Sequence, residues 1–276
     1  MREERLKSVL LVVGMVLMLS FCLAPFIYMI VTSLSKNPEF LSPGAEYKLT
    51  LQNYSSVIFK ESLHFIDYLR NSIIVSGVAA VVGVLTASIA AFAIARLKLP
   101  GKMLILFFAL AVSMFPQISI VGYLFKFMTW MGWINTYFAL ILPYVAWVLP
   151  LSLWILTSYF SQIPKELDRA AYVDGCSRLK VLTKVIMPVA MPAVLSTVLL
   201  AFIFAFNEFM FALILTSDHH ARTVPVGIAL FQGLHGEIPW GDIMAASAVT
   251  TLPVVILTII FQRRIIAGLT RGAVKG

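Results

Sequence analysis

Asn207 and Glu208 are the one adjacent amide and carboxylate within the long apolar runs of this chain. A charge inside a bilayer costs about 2.5–3.5 kcal/mol on insertion scales, so such a pair is expected to face a water-filled path or a partner helix. Two chemistries suit it: hydrogen bonding to the hydroxyls of a passing solute, or a polar contact between packed helices. Gln117, beside Pro116 in another apolar run, is a third group of this kind. The four histidines, His64, His219, His220 and His235, lie in polar connections, so no paired catalytic set forms within a span and no metal site is expected. No G-x4-G-K-[ST] phosphate loop occurs, its nearest fragment being Gly101-Lys102. The chain is therefore read as no enzyme, and as binding no cofactor of its own.

A second polar feature interrupts the apolar chain at Ile163–Pro192, where five Lys and Arg residues fall. Pro164 suits a first helical turn, and Glu166 and Asp168 favour its positive end. Ile163, Leu167, Ala170, Ala171 and Asp174 share one face by the i, i+4, i+7 rule. Gly175 fits the left-handed end of that helix. Ser177 is expected to cap a second short helix, with Leu179, Leu182 and Ile186 inward and Pro188 and Pro192 bounding it. The residues alone allow two readings: an element gripped by a soluble partner, or an amphipathic helix resting on lipid.

The elements around these groups follow from composition. Of 276 residues, 60% are hydrophobic and 12% charged, about half the charge of a soluble domain, which places the chain in a membrane. The apolar runs do not alternate with polar residues, which excludes a membrane β-barrel. The fold class expected is all-α and polytopic. Six spans are expected near 8–34, 71–95, 103–125, 136–159, 191–216 and 243–261. Leu19-Ser20-Phe21-Cys22 faintly resembles a lipoprotein cleavage site, but Phe21 is bulky and the run continues, so an uncleaved first span is expected. Fifteen of the 21 Lys and Arg fall on the side of the N-terminus, the insert and the C-terminus. Both termini and the insert are therefore expected in the cytoplasm, and the charge reports topology, not nucleic acid. The outer connection 217–242 reads either as a docking loop or as a solvated connector. Tyr and Trp residues of spans three and four read as an interfacial belt.

The order Ala170-Ala171, Gly175, then Val185-Ile186-Met187-Pro188 resembles the EAA-x3-G-x9-I-x-L-P loop of permease subunits in bacterial ABC importers. Asn207-Glu208-Phe209, Gln262-Arg263-Arg264 and the terminal 268–276 resemble the smaller permease of the maltose/trehalose type. This resemblance implies a multi-pass inner-membrane subunit with a coupling insert at 161–190 between spans four and five. It divides the chain into a first span and loop (1–69), a permease domain (70–262) and a cytoplasmic tail (263–276). It further implies a second permease subunit, two copies of a cytoplasmic ATPase holding ATP and Mg, and an extracytoplasmic sugar-binding protein. Glu166, Asp168, Arg169, Ala170, Ala171, Asp174, Gly175 and Pro188 would then meet the ATPase. Gln117, Asn207 and Glu208 would line the path or meet the partner subunit, and Arg222, Gln232 and Trp240 would meet the binding protein. Arg169 stands where the pattern has Glu, with Glu166 or Asp168 as the acidic substitute. Glycerol phosphates are the alternative cargo, and an ion-coupled transporter is disfavoured because the halves are not alike and Glu208 is the sole intramembrane carboxylate.

Overall fold

The computed structural model describes residues 2–36, 48–231 and 238–273, with side chains for 7–36, 48–231 and 238–261. Its helices run α1 (Arg2–Ser33), α2 (Gln52–Phe59), α3 (Phe65–Arg96), α4 (Lys102–Ser113), α5 (Gln117–Trp130) and α6 (Tyr137–Gln162). They continue as α7 (Lys165–Val173), α8 (Arg178–Val181), α9 (Met187–Phe206), α10 (Met210–Leu215), α11 (Val224–Ala229) and α12 (Trp240–Ala273). A π turn, Leu182–Ile186, joins α8 to α9. Among the described residues, five helices are long and apolar enough to cross a membrane, or six if one bent pair counts as a span. Helices are the expected outcome because a lipid-embedded backbone has to bond to itself.

The chain forms two compact units, 1–65 with 228–252 and 66–227 with 253–276. In the first, α1 is apolar on all sides and exposed along most of its length, as a lipid-facing helix must be. Its polar end is tied down. Asn53 donates to the carbonyls of Ser33 and Ser35 at 2.8 and 3.0 Å, and the Ser33 and Tyr54 hydroxyls meet at 2.7 Å. A Cβ on Gly241 would meet the Asn53 amide at 2.6 Å, so only glycine lets the start of α12 approach α2 this closely.

The second unit is built on α3, α6 and α9. Ala79, Ala80, Ala87 and Ala91 of α3 are fully buried, and a Cβ on Gly83 would lie 2.6 Å from Val148 of α6. Small residues let the two backbones come together, the usual source of helix association in lipid, where burial of apolar surface gives no drive. Larger side chains fill the remaining core: Tyr144, Leu156 and Phe160 from α6, and Phe202 and Phe206 from α9.

Two expected spans are drawn differently. Span three is not a single kinked helix: α4 and α5 meet at 86° across Met114-Phe115-Pro116. At 1.5 Å per residue, each is only about 20 Å long, short of the roughly 30 Å hydrocarbon core. Span five, expected from 191, begins at Arg178 and runs unbroken to Phe206. The second short helix of the insert is therefore the first turn of that span. Pro188 and Pro192 do not end it: Pro188 lies in the first turn of α9, just after the π turn, where the hydrogen-bond ladder is already offset.

Candidate functional site

The insert is a short helix with a well-defined stop. Pro164 is extended (φ −55°, ψ 131°) and stands just outside α7, one position earlier than expected. At the other end Gly175 has φ +78°. The Cys176 N–H donates to the Ala171 carbonyl at 2.9 Å and the Gly175 N–H to the Tyr172 carbonyl at 3.1 Å. These are the paired 6→1 and 5→2 bonds of a Schellman cap, which needs a left-handed residue where Gly175 sits. The Ser177 hydroxyl caps the next turn, accepting from the Lys180 N–H at 3.5 Å.

Burial divides the insert's residues. Ala171, Asp168, Val181, Leu182 and Ile186 face inward, whereas Glu166, Arg169, Ala170, Asp174, Gly175 and Pro188 are exposed. Two expectations fail here. Leu179, expected inward, is 64% exposed, because α8 turns it outward; Ala170 and Ala171 do not share one face, since Ala170 is exposed and Ala171 is buried. Val173 is 88% exposed and, with Tyr172 and Leu167, gives the tip an uncovered apolar surface.

Asp168 has a partner that sequence reasoning misses. Its Oδ2 lies 3.1 Å from Nε of Arg96, the last residue of α3, and both side chains are at least 90% buried. Arg96 also donates from Nη2 to the carbonyl of Ile163, at 2.9 Å, where α6 ends. Burial pushes the Asp168 carboxyl above its ordinary value, with the Arg96 and Lys165 charges opposing. In the sequence Arg96 reads only as a topology charge, and a pairing between positions so far apart leaves no local signal.

Gln117, Asn207 and Glu208 come together on one cleft of about 640 Å³, walled by Trp147, Leu151, Leu200 and Phe204. Span five ends here. The Asn207 amide donates back to the Ile203 carbonyl at 2.7 Å, and the chain restarts as α10. Glu208 is buried, and its two oxygens accept from the N–H groups of Phe211 at 2.8 Å and Ala212 at 3.2 Å. A carboxylate at a helix N-terminus is well placed on both hydrogen-bonding and dipole grounds. Its oxygens are thus engaged within the chain, while Asn207 is exposed and Gln117 half-buried toward the cleft. Trp147 stacks on Phe204 at 6.4 Å and meets Phe211 edge-on at 6.1 Å.

The loop at 217–224 is held by asparagines that no sequence pattern singles out. Asn71, fully buried, donates to the carbonyls of His219 and Arg222 at 2.9 Å each and accepts from the Tyr137 hydroxyl at 2.6 Å. Asn135 donates to Asp218 at 2.9 Å and accepts from the Ser217 and Asp218 N–H groups. Together with the His220 N–H and ring, that amide holds the Asp218 carboxyl well below the usual carboxylate range. Arg222 folds back to donate to the Ser217 carbonyl at 2.6 Å. Trp240 is half-exposed at the start of α12, and Gln232 lies outside the described residues. The side chains of the tail motif at 262–276 also lie outside them.

Comparison with known proteins places this architecture. Residues 82–271 match the family of binding-protein-dependent transport system inner membrane components. The trehalose/maltose transport system permease protein MalG of Thermococcus litoralis is 60% identical over 277 residues, covering all of both chains. The trehalose transport system permease protein SugB of Mycobacterium tuberculosis is 40% identical over 229 residues, 83% of each. In the crystal structure of a bacterial ABC transporter that imports alginate, one chain shares the fold at TM-score 0.77 and 19% identity, covering 95% of this chain and 98% of that one. The matched region takes in the second half of α3, all of α6 and α9, the insert and the cleft, and the chain belongs to the binding-protein-dependent transport system inner membrane component family, the membrane permeases of ABC transporters.

Proposed function

We propose that this chain is one membrane subunit of an ATP-driven importer for disaccharides of the trehalose and maltose class. The observation that carries the reading is the insert. Its root is pinned to α3 and α6, while its tip presents Glu166, Arg169, Ala170, Val173 and Asp174 outward. A pinned root with an exposed apolar and charged tip suits docking of a soluble motor better than resting on lipid, which would bury Val173 and turn the charges away. ATP and Mg belong to two copies of that cytoplasmic ATPase. Both termini share its side of the membrane, a second permease completes the path, and a sugar-binding protein delivers the cargo outside.

Each site residue takes a role from its geometry. Glu166, Arg169, Ala170 and Asp174 meet the ATPase directly. Asp168 and Ala171 face the chain's own core and hold the helix in place, so Glu166 is the acidic residue left to offset Arg169. Gly175 stops the helix, and Pro188 starts the return into span five. Gln117 and Asn207 line the cleft, where amides match the hydroxyls of a sugar, and Trp147 offers an aromatic wall. Glu208 shapes that cleft by capping α10. Arg222 and Trp240 are the contacts proposed for the binding protein.

The test is uptake by the complex purified with its partners and reconstituted in vesicles. Labelled trehalose or maltose should accumulate only with ATP on the motor side and binding protein on the other. Accumulation driven by an ion gradient in the absence of ATP would overturn the reading.

A further inference from the structure

We infer that Arg96 is the positioning residue that joins the insert to two spans at once, so that a push on α7 moves α3 and the end of α6 together. The inference rests on the coupling role proposed above and assigns its mechanical joint. Three observations meet at this guanidinium. It ends α3, where a cation complements the helix C-terminus. Its Nε faces the Asp168 carboxylate at 3.1 Å, on the first turn of α7. Its Nη2 holds the Ile163 carbonyl at 2.9 Å, at the hinge between α6 and α7. A planar group with fixed donors suits a joint that sets direction as well as distance, and a lysine ammonium does not reproduce it.

Stability does not explain the pair. Nε approaches the carboxylate without the alignment of a hydrogen bond, and Arg96 Nη1 and Asp168 Oδ1 are buried with no hydrogen-bond partner among the described residues. Both charges have left water, and a buried pair with unmet donors and acceptors is a poor source of folding energy compared with apolar side chains of similar size. What the pair supplies is geometry: α7 cannot tilt without dragging the ends of α3 and α6. The position also accounts for Asp168 beside the exposed Arg169. One residue along a helix is a rotation of about 100°, enough for buried Asp168 and exposed Arg169 to serve different surfaces, one the joint and the other the docking face.

The decisive variant replaces both partners, Arg96→Met with Asp168→Leu, in the complete transporter. This keeps the buried volume apolar and leaves no orphaned charge, so the complex is expected to assemble with its ATPase and to retain its basal ATP hydrolysis. Sugar imported per ATP hydrolysed should fall at least tenfold, and amide exchange over 163–173 should quicken at least tenfold in the permease. Import per ATP within twofold of the unmodified complex would overturn the inference, since it would show that packing alone suffices. Should the double variant fail to assemble, Arg96→Lys decides: it keeps the charge opposite Asp168 and loses the carbonyl contact, and an unchanged import ratio and exchange rate would again overturn it. Failure of the function itself shows elsewhere, as an unmodified complex that imports no sugar with ATP; the exchange measurement on the permease still tests the joint.

Discussion

The insert at 163–186 and the loop at 215–224 are both reversals between helices of one unit, and they are held in opposite ways. The loop is stitched by neutral amides at many points: Asn71 spans two carbonyls and a phenol, and Asn135 grips Ser217 and Asp218 while its own N–H donates to Leu215. The insert is held at its root by one ion pair and one carbonyl bond, with Ala171, Leu182 and Ile186 packed behind it. Moving the loop requires several short bonds to break together. Moving the insert requires only that its root follow. A surface meant to receive a partner in fixed orientation is best built the first way, and one meant to transmit motion the second.

The largest test of this contrast is Asn71→Leu. It strands the part-buried carbonyls of His219 and Arg222 and the Tyr137 hydroxyl, so a loss of about 3 kcal/mol, the low end of the cost of three unmet groups, is expected in thermal unfolding of the solubilised subunit. Faster amide exchange should be confined to 217–224 and leave α7 unchanged. An equal loosening of α7 would mean that the two reversals are not separately held. Gly175→Ala probes the other side more gently. Space around a Cβ is open there, so the cost is the left-handed backbone alone, about 1–2 kcal/mol, and should appear as fraying of the Gly175 and Cys176 amides. The smallest effect concerns pH. Asp218 is held below its ordinary value, so its contribution is complete above the unfolded carboxylate range and is lost only as pH falls through the lowered folded value. Protection of the 217–222 amides, taken relative to the intrinsic exchange rate at each pH, should show no carboxylate transition down to about pH 4, and Asp218→Asn should lower that protection throughout the range; a transition near the ordinary carboxylate value would disprove the assignment.

Residue order reveals whatever depends on near neighbours. The apolar runs announce the helices, and the acidic first turn of Glu166 and Asp168, with Leu167 and the alanines after it, marks the short helix of the insert. Gly175 is legible as its end because a left-handed stop has few other candidates. Gln117, Asn207 and Glu208 stand out as polar groups in apolar runs, and the fold does gather them on one cleft. That Glu208 spends its oxygens on the N–H groups of α10 is not legible, since it depends on where span five breaks.

Contacts between distant positions leave no such trace. Asp168 reads as an exposed acid until Arg96 is brought to it, and Leu179 reads as inward until the π turn sets the phase of α8. Asn71 and Asn135 carry no charge and sit in no pattern, so nothing local distinguishes them from any polar residue at the end of a span. The break in span three is half visible: Pro116 announces a disturbance, but an 86° bend depends on what packs against each half.

The π turn at Leu182–Ile186 has one more consequence. It carries an extra residue relative to regular α-helix, which advances everything before it by about 100° around the axis of α9. Removing one residue there would leave the chain helical yet swing the Schellman elbow to a different compass bearing around the axis of α9. Chimaeras that swap inserts between related permeases should therefore cut after Ile186, carrying the wide turn with the elbow, or the transplanted tip will arrive out of phase with the spans behind it.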